Sequence, residues 1–154
     1  MKNNRIILKV FSAALLTCSA GFAAAADSTT LAVTASVDKV CKFSATSTSL
    51  PFGVINPSST VNAIAKANVL YKCTKGTASL GVTVSGGLTR SMTSTATTDT
   101  LGYTLAYTGD TQMGTGFGTG QDLTMAVTGT ITPAQFQNVT GAAYSENVTL
   151  NITP

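Results

Sequence analysis

The sequence predicts an all-β protein, built as an antiparallel β-sandwich. Six or seven short segments alternate apolar and polar residues at period two, which is the pattern of strands buried on one face. Clusters of Gly, Pro, Ser and Thr separate these segments and predict turns. Thr, Ser, Ala, Val and Gly dominate the 154 residues, and no segment keeps a clear helical period. Many short alternating strands joined by turns favour a sandwich.

Residues 1–26 predict a secretory signal peptide. Three basic residues surround the start of the apolar run 6–16, and small residues at 23–26 precede Asp27. This order of a basic region, a short apolar region and small residues is typical of an export signal. The run is shorter than the ~20 residues of a membrane span. Acylation of Cys18, as in a lipoprotein, is the alternative interpretation.

Removing 26 of the 154 residues leaves enough chain for one domain with a core. Three of the nine cations lie in the predicted signal, so the remaining six balance the six carboxylates. The full-chain isoelectric point of about 8.9 therefore gives no support to nucleic-acid binding. A low net charge combined with many β-forming residues favours a sheet protein that associates.

Cys41 and Cys73 are the cysteines that follow the predicted signal. In an oxidising compartment, such a pair predicts a disulfide, which stabilises a loop of this size by roughly 3.5 to 4 kcal/mol in the chain-entropy model. Two buried free thiols are the alternative. A metal site is not expected, because the chain has no His, and the part after the predicted signal has no further Cys to complete one.

The first alternating segment, residues 30–37, reads TLAVTASV. One face of this predicted strand carries Leu31, Val33, Ala35 and Val37. Two charged residues interrupt the pattern, and a short strand over 40–43 follows. Residues 45–49 are Ser/Thr-rich and predict a loop. Residues 50–56 are apolar but punctuated by Pro and Gly, so they predict an edge strand or a packed crossing loop.

The next two strands are predicted over 61–73 and 80–84. The first places Cys73 on its inward face at period two, although residues 63–68 alone could form a helical turn. A turn at Lys75 and Gly76 separates the two strands. The second strand alternates through Leu80, Val82 and Val84 until a pair of glycines ends it.

Residues 88–100 have little apolar content and predict a surface loop. A strand over 101–107 follows, with Leu101, Tyr103, Leu105 and Tyr107 on one face. The segment 109–121 is rich in Gly but resembles a phosphate loop only superficially, because no apolar strand leads directly in and no helix follows. It predicts a mobile hairpin loop, with the next strand over 123–131.

A connection over 132–141 leads to the last predicted strand, residues 142–154. One face of that strand carries Tyr144, Val148, Leu150 and Ile152. A sandwich normally closes its core with a further strand beside such an element. We therefore expect an open edge here, with residues 30–37 as the unassigned apolar strand.

The residue types exclude most catalytic chemistry. Without His, a Ser-His triad and His-ligated metal sites are impossible. The six carboxylates are scattered, and no motif pairs two of them for acid/base chemistry. We expect no enzyme, no catalytic residue, no cofactor and no metal, and a function in binding or assembly.

A series of motifs follows the predicted strands: V-T-A-S-V at 33–37, L-P-F-G at 50–53, Y-K-C at 71–73, L-x-Y-x-L-x-Y at 101–107, G-T-I-T-P-A-Q at 129–135 and G-A-A-Y-S-E-N-V-T-L at 141–150. With Cys41, their order resembles the spore coat protein U family. That family includes secreted pilin subunits of archaic chaperone/usher systems. The resemblance extends over the whole chain after the predicted signal.

This resemblance implies an incomplete immunoglobulin-like sandwich over residues 38–154 that lacks its last strand. A periplasmic chaperone lends that strand first, and the N-terminal extension of the next subunit then replaces it. Residues 27–37 would be this donor strand, with the apolar face of 30–37 inserted and that of 142–154 lining the groove. The implied partners are identical or homologous subunits in a head-to-tail polymer, the chaperone and an outer-membrane usher.

The expected function is that of a rod or adaptor subunit of an extracellular pilus, exported through the periplasm and supporting attachment and biofilm formation. No nucleic-acid or small-molecule partner is expected. The alternative is a monomeric secreted module, either a surface-coat or a carbohydrate-binding sandwich. In the latter, the 109–121 loop would act with Tyr103 and Tyr107 to stack on a sugar. Core and cross-strand packing is the other interpretation of these tyrosines.

Overall fold

The computed structural model describes residues 26–79 and 81–154. Apart from its last residue, the predicted signal peptide lies outside the described residues, as does Leu80 of the predicted 80–84 strand. The chain divides into two units, Met1–Ala35 and Ser36–Pro154. In the first unit, residues 26–35 form neither helix nor strand, and their side chains are exposed.

The second unit consists almost entirely of β-strands. Its elements are β1 (Cys41–Phe43), β2 (Ala63–Cys73), β3 (Gly81–Val84), β4 (Thr89–Thr93), β5 (Thr100–Thr108), β6 (Leu123–Ile131), α1 (Pro133–Phe136) and β7 (Leu150–Thr153). The strands form a five-stranded sheet in the order β1-β2-β6-β5-β4 and a two-stranded sheet of β3 and β7. Each neighbouring pair is antiparallel. The predicted fold, an incomplete immunoglobulin-like antiparallel β-sandwich, is confirmed.

The core follows from the period-two faces of β2, β5 and β6. The inward residues of these three strands include Val69, Tyr71, Cys73, Leu101, Tyr103, Leu105, Leu123, Met125, Val127 and Ile131, which are all buried. The predicted strands over 61–73, 101–107 and 123–131 are confirmed, and residues 63–68 belong to a strand and not to a helical turn. Burying a large apolar side chain contributes about 1.5 to 3 kcal/mol, so these faces supply most of the hydrophobic stabilisation.

Cys41 and Cys73 lie directly opposite each other on β1 and β2 and form a disulfide, with their Cα atoms 4.1 Å apart. The alternative of two free thiols does not hold in this structure. The bond ties the short edge strand β1 to the longest strand of the sheet.

The prediction of a surface loop over 88–100 is wrong, because this segment contains β4. Arg90 and Met92 lie opposite Tyr103 and Leu101 of β5. Both are half-buried, whereas the Ser and Thr residues that alternate with them along β4 are exposed. The strand keeps period two, but its inward face carries a single apolar residue. Its formation therefore depends on pairing with β5 and not on its own hydrophobic pattern.

The connection over 132–141 also differs from the prediction, because it contains the one-turn helix α1. Pro133 occupies the first helical turn, where a missing N–H costs nothing. The side-chain oxygen of Gln135 accepts a hydrogen bond from the Thr132 N–H at 2.8 Å. Phe136, only 3 % exposed, packs into the core, which explains why the turn is helical here.

The last predicted strand, 142–154, is a regular strand only at β7. Earlier in the segment, Ser145 makes an isolated antiparallel bridge to Thr93 at the end of β4. Leu150 and Ile152 then lie opposite Val84 and Val82 of β3. The segment therefore passes from the larger sheet to the smaller one, and this change of sheet interrupts the strand.

Residues 50–56 form no strand and cross the core as a packed loop, one of the two predicted alternatives. Residues 30–37 are not paired as a strand in this chain. The 109–121 segment connects the paired strands β5 and β6, as a hairpin loop does. It is anchored, however: Gly114 exchanges backbone hydrogen bonds of 2.9 and 2.8 Å with Gly76 and Thr77, which corrects the prediction of a mobile loop.

Candidate functional site

A groove of about 690 Å³ lies open between the two sheets. Its floor comes from the larger sheet and includes Val69, Leu105 and Val127, each less than a tenth exposed. One wall is the arm of residues 44–52, and the other is the segment 146–150 that leads into β7. The groove therefore reaches the hydrophobic core from the surface.

The 44–52 arm is held mainly by its side chains. The Ser44 N–H donates to the Leu70 carbonyl at 2.9 Å, and no other backbone hydrogen bond from this arm occurs among the described residues. Leu50 and Phe52 pack over Gly129 of β6, where an added Cβ would lie 2.6 Å from the Phe52 ring and 2.9 Å from Leu50. The arm's polar backbone thus remains available for pairing along the groove.

The opposite wall also presents an unpaired backbone edge. β7 pairs with β3 on one side, and within residues 26–79 and 81–154 no strand pairs with its other edge. A single extended segment placed in the groove would lie between this edge and the 44–52 arm. Unpaired strand edges of this kind readily accept another strand.

The structure brings together two of the four predicted groove-edge residues. Val148 and Leu150 line the groove. Tyr144 and Ile152 lie on the same half-buried face and pack against the core, but they do not line the groove.

Sequence reasoning missed a polar cluster at the end of this wall. Glu146 shares the period-two face of Tyr144 and Val148 and is one of the residues that line the groove. The carboxylate accepts hydrogen bonds from the Arg90 guanidinium and from the Tyr103 hydroxyl, the latter at 2.7 Å. Arg90 and Glu146 are 56 residues apart, so the sequence gives no sign that they meet. The one available signal is that Glu146 falls on the inward face of the period-two pattern.

Arg90 anchors this cluster from behind the groove. One of its terminal nitrogens donates to the carbonyls of Ser85 at 2.5 Å and Gly87 at 3.4 Å, in the turn after β3. The other terminal nitrogen binds Glu146. The Arg90 side chain therefore joins β4, the turn after β3 and the segment before β7.

The ionisation of the cluster follows from its contacts. Burial alone would raise the pKa of Glu146, but the hydrogen bonds from Arg90 and Tyr103 outweigh it and hold this pKa below its usual value. Burial, followed by the hydrogen bond to Glu146, raises the pKa of Tyr103 to about 12. The hydrogen bond to Glu146 raises the pKa of the Arg90 guanidinium. At neutral pH the groove therefore ends at an anionic carboxylate paired with a cation.

The four predicted donor residues lie on exposed chain. Leu31 and Val33 are 83 % exposed and Val37 is 84 % exposed, and Ala35 is also exposed. Thr74 defines where this segment joins the sandwich: its hydroxyl donates to the Asp38 carbonyl at 3.0 Å and accepts from the Val40 N–H at 3.1 Å. The chain before residue 38 thus carries an exposed apolar face.

The arrangement gives little support to the alternative sugar-stacking surface. Tyr103 is only 4 % exposed, and Phe52 packs edge-on against its ring with centroids 6.0 Å apart. The core interpretation of this tyrosine is confirmed, since it belongs to the main hydrophobic cluster. Within the part of the chain that the structure describes, no three His, Cys, Asp or Glu side chains gather as a metal site would require.

Comparison with known proteins identifies a family. The model of the Spore Coat Protein U domain matches residues 27–151, which is most of the chain. Neither the curated proteins nor the solved structures provide a match. None of the helices formed by the described residues has the length and apolar character to span a bilayer. At the family level the match indicates a structural, surface-located subunit of pilus or fimbrial type. The chain belongs to the Spore Coat Protein U domain family.

Proposed function

We propose that this protein is a rod or adaptor subunit of a pilus and polymerises head to tail. Residues 27–37 of one copy would fill the groove of the next. One observation carries this proposal: a largely apolar groove bordered by two backbone edges that pair with no strand of the described residues occurs in the same chain as an exposed segment with apolar residues at period two.

The energetics favour such an insertion. Burying Leu31, Val33 and Val37 would contribute about 1.5 to 3 kcal/mol each, and Ala35 less. Backbone pairing with the arm and with the β7 side would add to this. At about 3.3 Å per residue, the apolar part of the segment spans about 20 Å, the scale of a strand in a domain of this size.

The insertion joins two different surfaces of the molecule, so the contact does not close on itself. Repeating a heterologous contact of this kind generates an open filament. Before assembly, the exposed groove requires temporary cover, and a periplasmic chaperone with an outer-membrane usher would supply it. The resulting surface fibre would support attachment and biofilm formation, with identical or homologous subunits as neighbours.

Deletion of residues 27–37 tests this function. The shortened subunit retains its groove and can receive a strand, but it has none to donate, so it should cap growth and shorten fibres when co-expressed with the wild type. Electron microscopy measures fibre length. As a matched control, Thr30→Ala and Thr34→Ala together change the opposite face of the segment and should leave the fibres long. Fibres of normal length from the deletion variant would refute the assembly mechanism.

A further inference from the structure

We propose that Glu146 sets the register of the strand inserted in the groove, by stopping apolar residues from advancing beyond Val148. This inference rests on the proposed function. It adds a residue that decides how the inserted strand is aligned along the wall of the groove. Along the inward face, Leu150 and Val148 are apolar, and Glu146 is the next residue to line the groove. The inward face of the wall therefore changes from apolar at Val148 to charged at Glu146, two residues away.

The carboxylate is held in place and cannot turn away from an incoming side chain. The Tyr103 hydroxyl and the Arg90 guanidinium bind its two oxygens separately. Arg90 is itself fixed by the carbonyls of Ser85 and Gly87. The Glu146 side chain retains about a fifth of its exposure, and that remaining contact with water would be lost under an apolar residue. Removing water from a charged group without a new hydrogen bond is unfavourable.

One alignment avoids this loss. If the inserted segment runs antiparallel to β7, as every paired strand among the described residues runs to its neighbour, one alignment places Val37 opposite Val148 and Ala35 opposite Leu150. Lys39, the next residue on the same face of the segment, then arrives beside Glu146. Opposite charges meet at this end, whereas Ala35 and Val37, which carry no charge, face the apolar residues Leu150 and Val148.

The other alignments are less favourable. A slip of two residues towards Glu146 would place Val37 over the carboxylate. A slip of one residue would turn the whole apolar face away from the core. A slip in the opposite direction would leave Val148 without an apolar neighbour, and the attachment of Asp38 and Val40 to Thr74 limits how far the segment can extend.

Disulfide trapping in the full mature chain tests the register. Ala35→Cys is combined in turn with Val148→Cys, Leu150→Cys or Ile152→Cys, and assembled protein is oxidised with copper phenanthroline. Each pair is examined with Glu146 and with Glu146→Leu, and the single-cysteine variants are the controls. Cross-links between copies appear as a ladder on non-reducing gels.

With Glu146 present, we expect the ladder from the Leu150→Cys pair to be at least tenfold stronger than that from the Val148→Cys pair. Glu146→Leu should raise the Val148→Cys ladder to a comparable intensity. If Glu146→Leu does not fold, Glu146→Gln, which keeps the shape and one acceptor oxygen but removes the charge, replaces it and should raise the Val148→Cys ladder several-fold.

Three results would overturn the inference, and they are distinguishable. Equal preference for Leu150→Cys with and without Glu146 would refute its role as a stop while leaving strand insertion intact. A dominant ladder from the Ile152→Cys pair would refute the alignment itself. Cross-linked monomers alone, or no cross-link from any pair, would refute insertion between copies and with it the proposed function.

Discussion

At the scale of single residues, the ion pair of Arg90 and Glu146 matters more for where it lies than for how strongly it binds. A half-buried pair gains little net stability, because the loss of water offsets much of its attraction. Breaking it is costly, since one charge then remains without a partner. The pair connects the two sheets at the end of the open groove. It also keeps the Glu146 carboxylate at a defined point on the wall.

The lowered pKa of Glu146 predicts a specific loss of stability in acid. Its ordinary pKa is 4.5, and the folded value lies below it. The unfolded chain therefore takes up the proton first as the pH falls, so the contribution of this group is present above pH 4.5 and disappears as the pH drops through the folded pKa. Urea unfolding at a series of pH values between 6 and 3 should show a shallower decline for Glu146→Gln than for the wild type.

Asp99 supplies the matched control for this prediction. Hydrogen bonds from the side chain and backbone of Thr140 lower its pKa, and it lies outside the groove. Asp99→Asn should remove the part of the stability loss in acid that comes from Asp99. It should leave the part that comes from Glu146 unchanged. Identical pH profiles for the wild type and Glu146→Gln would contradict the coupling of Glu146 to folding.

Leu150→Asp should impair assembly more than it impairs folding. Leu150 is half-buried and lines the groove, so the new carboxylate would be desolvated fully only when a strand is inserted. A penalty of about 3 kcal/mol would weaken the joint roughly a hundredfold. Thr153→Asp, on the exposed face of β7, is the control. Sedimentation of fibres measures assembly and thermal melting measures folding, and equal fibre yields for the two variants would show that Leu150 does not face the inserted strand.

At the scale of elements, the 44–52 arm forms a wall of the groove without belonging to either sheet. Its position depends on Leu50 and Phe52, which fill the space left by the missing side chain of Gly129 on the inward face of β6. Packing by side chains fixes the arm while its backbone stays unpaired. A loop can thereby serve as one side of a strand-binding site.

Gly129→Val should therefore displace the arm. The added side chain would overlap Phe52 and Leu50, and overpacking of this kind costs about 1 to 3 kcal/mol. Ala126→Val adds two methyl groups on the exposed face of the same strand and should be nearly neutral. Urea unfolding compares the two variants. Equal midpoints would mean that the arm can move without cost and is not a fixed wall.

At the scale of the whole molecule, the open groove makes the isolated subunit an incomplete fold. Part of the core is covered on one side only, and the apolar residues that could cover it lie on the exposed segment before residue 38. Under the proposed function, stability and assembly would be coupled, because the same insertion would complete the core and join two copies.

Moving residues 28–37 behind Pro154 through a short Gly/Ser linker should complete the fold within one chain. Burial of three apolar side chains should raise the melting temperature by roughly 10 °C or more, given about 4 °C per kcal/mol for a domain of this size. Gel filtration should show a monomer. The control carries Leu31, Val33 and Val37 as Ser in the moved segment. A fused chain that melts with this control would argue against complementation.

The sequence by itself determined the strands whose inward faces are rich in apolar residues. The period-two faces of β2, β5 and β6 are local patterns, and a strand buried on one face needs little else to be recognised. The pairing of Cys41 with Cys73 was also evident, because they are the two cysteines after the predicted signal and an exported protein meets an oxidising compartment. The period-two spacing of Val148 and Leu150 was sufficient to place both on one face.

Tertiary structure alone decided the features that depend on distant partners. β4 is a strand because it pairs with β5, and its Thr-rich pattern gave no local indication of this. Residues 142–154 change from one sheet to the other, which no period-two pattern can express. Arg90 meets Glu146 because two sheets pack together across 56 residues of chain. Alternation specifies which face of a strand is buried, but the packing of the sheets decides what that face meets and where the core remains open.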